Sequence, residues 1–139
     1  MMKYLRFPVA VVALATAGTA LAADLRVDVV QSEEAPVYLA LYDNAEGFEQ
    51  RDGFRLAVVK RWKQQPSVAF TDLAAVRYAA VVFQDLTGHG ELDTNLLGVP
   101  TEPYGFSRNA MGNMGPPTFV DAAIALDGQS QAITIELRN

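Results

Sequence analysis

Nine consecutive residues, Asp85-Leu86-Thr87-Gly88-His89-Gly90-Glu91-Leu92-Asp93, carry the sharpest chemical pattern in the chain. A calcium loop opens with ligands at its first, third and fifth positions, a turn glycine at the sixth and a hydrophobe at the eighth. Here Asp85 and Thr87 are spaced as the first two ligands, Gly90 takes the glycine place and Leu92 the hydrophobe's. A hard cation needs roughly six to eight oxygens converging from one tight turn, and alternate residues supply them. The candidate ligands are therefore Asp85, Thr87, His89, Glu91 (through its carbonyl) and Asp93. Two positions depart from the pattern. His89 offers an imidazole nitrogen where calcium wants oxygen, and the twelfth position is Leu96 rather than a bidentate Glu. The alternative is a glycine-rich turn whose Asp85 and Asp93 bind their own backbone.

A second constellation lies between Thr94 and Asn109. Tyr104 and Phe106 flank Gly105, and Glu102, Arg108 and Asn109 lie within a few residues. Aromatic faces with convergent polar groups suit a sugar or peptide ligand, so these five residues form a candidate binding set. The same aromatics can instead plug one end of the fold, with the polar groups satisfying loop backbone. Arg108 is the only cation between Arg77 and Arg138, and Glu102 or Asp93 is its expected partner. Asp93 and Glu102 also define a competing reading, a hydrolase acting on an envelope carbohydrate or peptide, which needs the two carboxyls roughly 5–10 Å apart. His89 with Ser107 lacks any nucleophile motif. Lys60-Arg61-Trp62-Lys63 is basic with one aromatic and reads as a solvated strand end.

Composition excludes much else. The 139 residues contain no Cys and one His, which removes disulfides, thiolate metal sites, Cys nucleophiles and two-histidine mechanisms. A formal charge of −5 opposes nucleic-acid binding, which requires a basic face.

Residues 1–22 have the order of a secretory signal. Lys3 and Arg6 precede the apolar run Val9–Ala17, and Ala20-Leu21-Ala22 supplies small residues for cleavage before Ala23. The expectation is a periplasmic or secreted protein with no membrane span after cleavage. Loss of Lys3 and Arg6 moves the net charge to −7.

Period-two alternation dominates the chain after residue 22 and predicts the elements that must hold these residues. Strands are expected around Leu25–Val29, Val37–Tyr42, Leu56–Lys63, Ser67–Thr71, Val76–Gln84, Phe119–Leu126 and Ala132–Leu137. The last two are expected to form a hairpin around Asp127-Gly128. About seven short strands with no long helical period predict an all-β fold, an antiparallel β-sandwich, with a closed barrel as the alternative. Residues 23–139 are expected to form one domain. Residues 85–118 interrupt the rhythm with six of the nine glycines and four of the six prolines that come after residue 22. Leu92, Leu96, Leu97, Val99, Tyr104, Phe106, Met111 and Met114 make this segment too apolar for a solvated tether, so a long ordered loop folding back over the sandwich is expected.

The run Asp85–Asn95, then Leu97-Gly98-Val99-Pro100, Glu102-Pro103-Tyr104-Gly105-Phe106-Ser107 and Gly115-Pro116-Pro117, resembles the bacterial domain-of-unknown-function family 2141. Ala40-Leu41-Tyr42 before Glu46-Gly47-Phe48, Phe70-Thr71-Asp72-Leu73 and Phe119–Leu126 extend the likeness over nearly all of residues 23–139. The resemblance implies a small exported prealbumin-like or carboxypeptidase-regulatory-like β-sandwich without an established activity. The family loop looks like His-Asp-x-Asn-Gly-Asn-Gly-x-Leu-Asp, and Gln84, Thr87 and His89 replace its His and two Asn residues. The family's Leu-Pro-Pro-Gly-x-Tyr turn is here Leu73-Ala74-Ala75-Val76-Arg77-Tyr78. The functional expectation is a non-catalytic binding or interaction module, with calcium stabilising the 85–93 loop as the one cofactor in view.

Overall fold

The computed structural model describes residues 22–30, 34–59, 67–88, 90–92, 100–112 and 115–138. Residues 1–21 of the expected signal and the basic cluster at 60–63 lie outside them. The strands are β1 (Ala23–Val30), β2 (Val37–Tyr42), β3 (Arg55–Val59), β4 (Ser67–Leu73), β5 (Arg77–Gln84), β6 (Tyr104–Phe106), β7 (Ile124–Ala125) and β8 (Gln131–Glu136). Two short helices accompany them, α1 (Ala45–Gln50) and α2 (Phe119–Ala122).

The eight strands form two sheets. One has three strands in the order β4-β1-β8; the other runs β3-β2-β5-β6, with β7 added against β5. The sheets face one another as a sandwich rather than closing into a barrel. Alternation sets the inner faces: Leu25, Val27 and Val29 of β1 are fully buried against Leu39 and Leu41 of β2 and Ala80 and Val82 of β5. Tyr78, Leu73, Leu126 and Ile135 complete this core.

Each lateral side of the sandwich is joined by a different device. On one, the Arg55 guanidinium of β3 donates to the Thr71 carbonyl and, at 3.4 Å, to the Asp72 carbonyl of β4. On the other, Tyr104 and Arg138 exchange two backbone hydrogen bonds of 2.8 Å, tying β6 to the end of β8. Gly105 makes that approach possible. A Cβ built there would lie 2.7 Å from Ile135 Cγ2 and 2.8 Å from the Glu136 carbonyl.

Three expectations about elements are corrected. Residues 45–50, expected as a polar connection, form α1, because Asn44 Oδ1 accepts the Gly47 amide at 2.7 Å and Phe48 is buried beneath the turn. Phe119–Leu126, expected as a strand, begins as α2. The Thr118 hydroxyl accepts the Asp121 amide and Asp121 accepts the Thr118 amide, both at 3.2 Å, a capping box that fixes the first turn. Only Ile124 and Ala125 remain extended.

The expected hairpin around Asp127-Gly128 is also absent. β7 pairs with β5 while β8 pairs with β1, so residues 126–130 cross between the sheets. Leu126 is buried in the main core at that crossing. The β1–β8 pair is parallel, Leu25 opposite Gln131 through Val30 opposite Glu136, and is the exception in an otherwise antiparallel sandwich.

Candidate functional site

The outer face of the larger sheet is apolar where a sandwich usually shows polar residues to water. Register brings Val58, Tyr38, Phe83 and Tyr104 into one row across β3, β2, β5 and β6. The next row is Leu56, Ala40, Val81 and Phe106. No charged residue stands in either row.

One part of this face is covered. Phe48 of α1 packs on Tyr42, Phe106 and Phe119 at ring-centroid distances of 5.4, 6.1 and 6.0 Å, making a second small core with Ala79, Val81 and Ala122. The Arg51 guanidinium sits 4.8 Å over the Phe48 ring and closes the outside of that core. Burial there pushes the Tyr42 phenol above its usual pKa, with Arg51 pulling partly the other way.

The remaining part is open. Leu56 is 73% exposed and Val58 44%. Tyr38 and Phe83 are half-buried and stacked, centroids 5.1 Å apart at an interplanar angle of 11°. Tyr104 is half-buried and meets Phe106 edge-on at 6.0 Å.

The 85–92 segment stands beside this face, since a Cβ built on Gly90 would meet the Tyr38 hydroxyl at 3.7 Å. Two buried carboxylates shape it. Asp85, 4% exposed, accepts the amides of Gly88 at 2.9 Å and Gly90 at 2.7 Å. Both glycines have positive φ, +81° and +74°, which a side chain would disfavour. Glu102, 2% exposed, accepts the amides of Leu86 at 2.6 Å and Thr87 at 3.1 Å. The Thr87 hydroxyl lies 3.5 Å from Asp85 Oδ1 and 3.4 Å from Glu102 Oε2, so two carboxylates converge on one hydroxyl.

The residues picked out in the sequence therefore separate. Among the expected calcium ligands, Asp85 and Thr87 are together and Glu91 is exposed; His89 and Asp93 lie outside the described residues. Among the described residues no three Asp, Glu or His groups form a metal cage. Of the five expected ligand-binding residues, Tyr104 joins the aromatic row and Phe106 turns into the second core. Glu102 organises the loop. Asn109 Oδ1 accepts the Glu136 amide at 2.9 Å, and Arg108 is exposed, on backbone with φ of 61°.

Ser107 is fully buried. Its hydroxyl accepts the Ala80 amide at 2.9 Å and donates to the Ala122 carbonyl at 2.6 Å, binding β5 to α2 rather than acting as a nucleophile. The glutamate of the Asp93/Glu102 pair is likewise occupied by backbone amides. Tyr38, Phe83, Leu56 and Val58 belong to the face, whereas sequence reasoning identifies them only as strand residues. A signal for them exists: β2 and β5 carry aromatic or apolar side chains on both faces of the alternation.

The architecture and this face define an all-β sandwich carrying an apolar outer surface beside a carboxylate-braced loop. The chain belongs to the family described as "Uncharacterized protein conserved in bacteria (DUF2141)", whose profile matches residues 25–134. No curated protein and no solved structure matches the chain. Among the described residues no helix is long and apolar enough to cross a membrane.

Proposed function

We propose that this protein is a non-catalytic binding or interaction module of the bacterial envelope, exported by the signal in residues 1–22. Its contact surface is the open part of the outer sheet face, Leu56, Val58, Tyr38, Phe83 and Tyr104. The observation that carries this reading is the exposure of Leu56 and Val58 beside a half-buried aromatic row with no charge in it. Contiguous exposed apolar surface of this kind marks interaction sites. The rigid sheet presents it, and the loop beside it is held by Asp85 and Glu102.

The test is photo-crosslinking in the native host. A photoreactive side chain at Leu56 should give a discrete adduct, and one at Thr134 on the polar outer face of the smaller sheet should not. Equal labelling at both positions, or none at Leu56, overturns the reading.

A second reading concerns the loop and is favoured by the convergence of Asp85 and Glu102 on the Thr87 hydroxyl. Two negative charges with a single hydroxyl between them suit a divalent cation, and calcium would stabilise the 85–93 loop there. Calcium at a hundred times its Kd would then add about 2.7 kcal/mol of stability, removed by chelator. An unchanged melting temperature, or the same shift in an Asp85→Ala variant, removes calcium from the account.

A further inference from the structure

β3 pairs with β2 on one side only, and among the described residues no strand is bonded to its other side. Proteins blunt such edges with charge, proline or bulges, because unpaired N–H and C=O groups template another strand. β3 has none of these over Leu56–Val59: its register against β2 is unbroken, and the four residues are Leu, Ala, Val and Val. Two of them, Leu56 and Val58, are exposed on the outer face.

The charge around this edge is opposite to that of the rest of the molecule. Residues 51–63 hold Arg51, Arg55, Lys60, Arg61 and Lys63 against the single acid Asp52. The remainder after residue 22 has four cations against fifteen acids. Arg51 and Arg55 direct their guanidinium groups at backbone carbonyls and aromatic rings. Among the described residues the single ion pair is Arg26–Asp28, so neither positive charge is neutralised by a carboxylate.

We propose that the open edge of β3 takes an acidic, extended polypeptide segment as an added strand, which names the partner chemistry of the binding module and rests on that reading. Only a polypeptide supplies the N–H and C=O ladder that the edge offers. Alternate apolar side chains of the segment would lie beside Leu56 and Val58, and its acidic residues would face the basic surroundings. A second copy of this chain fits poorly, because β3 against β3 sets cations on cations.

Fluorescence anisotropy with the purified chain tests this. The probes are a labelled peptide of alternating Glu and Val, its Lys/Val counterpart, and two Glu/Val isomers N-methylated on one or the other set of alternate residues. The Glu/Val peptide should bind saturably, about tenfold or more tighter than the Lys/Val peptide, and more weakly as salt screens the charges. One N-methyl isomer should bind like the parent and the other should lose about tenfold or more, since an added strand uses only one of its edges.

Leu56→Asp/Val58→Asp, both exposed positions, should abolish binding with the melting temperature unchanged. No saturable binding, equal binding of the two isomers, equal binding of the Lys/Val peptide, or self-association by light scattering overturns the proposal. An adduct at position 56 together with failure of the peptides removes strand addition alone. Absence of that adduct removes the binding-face reading itself.

Discussion

Glu102 Oε2 accepts the backbone amide of Thr87 at 3.1 Å across fifteen residues of chain. With the 2.6 Å bond from the Leu86 amide, this contact makes a buried carboxylate the anchor of the loop beside the aromatic face. Both ends of the loop are thereby fastened: Asp85 donates its amide to the Pro36 carbonyl at 2.9 Å, and Gln84 donates to the Pro103 carbonyl at 3.0 Å.

Glu102→Ala should therefore loosen the loop as well as destabilise the fold. Removing a charged acceptor from two amides costs about 2–3 kcal/mol. Chemical denaturation measures the loss, and hydrogen exchange should quicken at the Leu86 and Thr87 amides ahead of those in β5. Unchanged exchange at these two amides would contradict the anchoring role.

Gly105→Ala tests the closure between β6 and β8. The new methyl would be driven against Ile135 Cγ2 and the Glu136 carbonyl, and overpacking of this kind costs about 1–3 kcal/mol. Gly115→Ala, where nothing lies within 4 Å of the new methyl, is the control and should be near neutral in the same thermal melt.

Ser107→Ala removes both an acceptor for the Ala80 amide and a donor to the Ala122 carbonyl in a fully buried place. A loss of about 1–3 kcal/mol is expected, with α2 detaching first. Photo-crosslinking at position 56 in this variant, run where it is still folded, should match wild type. A lost adduct there would give Ser107 a part in binding.

Stability should fall in alkali. Burial raises the pKa of Tyr42, and raises that of Tyr78 with help from the nearby Asp43 charge. A raised folded-state value gives stability that is complete below the unfolded tyrosine pKa of about 10 and is lost as pH climbs through the folded value. The melting temperature should thus hold up to about pH 10 and decline above it. Tyr42→Phe should flatten part of that decline, and an identical alkaline profile would refute the assignment.

Local sequence carries a start signal for each short helix. Thr118 three residues before Asp121 is a capping box, and Asn44 before Ala45-Glu46-Gly47-Phe48 is an N-cap. Both starts are therefore legible, but the residues beside them have the pattern of a strand in one case and a polar connection in the other. Alternation in β1 and β2 predicts their inner faces, because a period of two leaves little freedom once one face is buried. The aromatic residues of the loop are legible as a pair and not as individuals. Tyr104 lies on the open face and Phe106, two residues on, under Phe48, because α1 covers only one end of the sheet.

The order of residue types along the chain was enough to establish an all-β sandwich, the family, and a single unusual segment at 85–118. Pairing between distant strands decided the rest. Whether β8 returns to β7 or runs parallel to β1 depends on where Leu126 can be buried, and no local preference expresses that. The same is true of Glu102: near other polar residues in sequence it looks like a ligand or a catalytic acid, and only the return of β6 alongside β5 turns it inward to the amides of Leu86 and Thr87. Burial and hydrogen-bond satisfaction are properties of the assembled neighbourhood, so they assign such a residue its role only after the sheets have met.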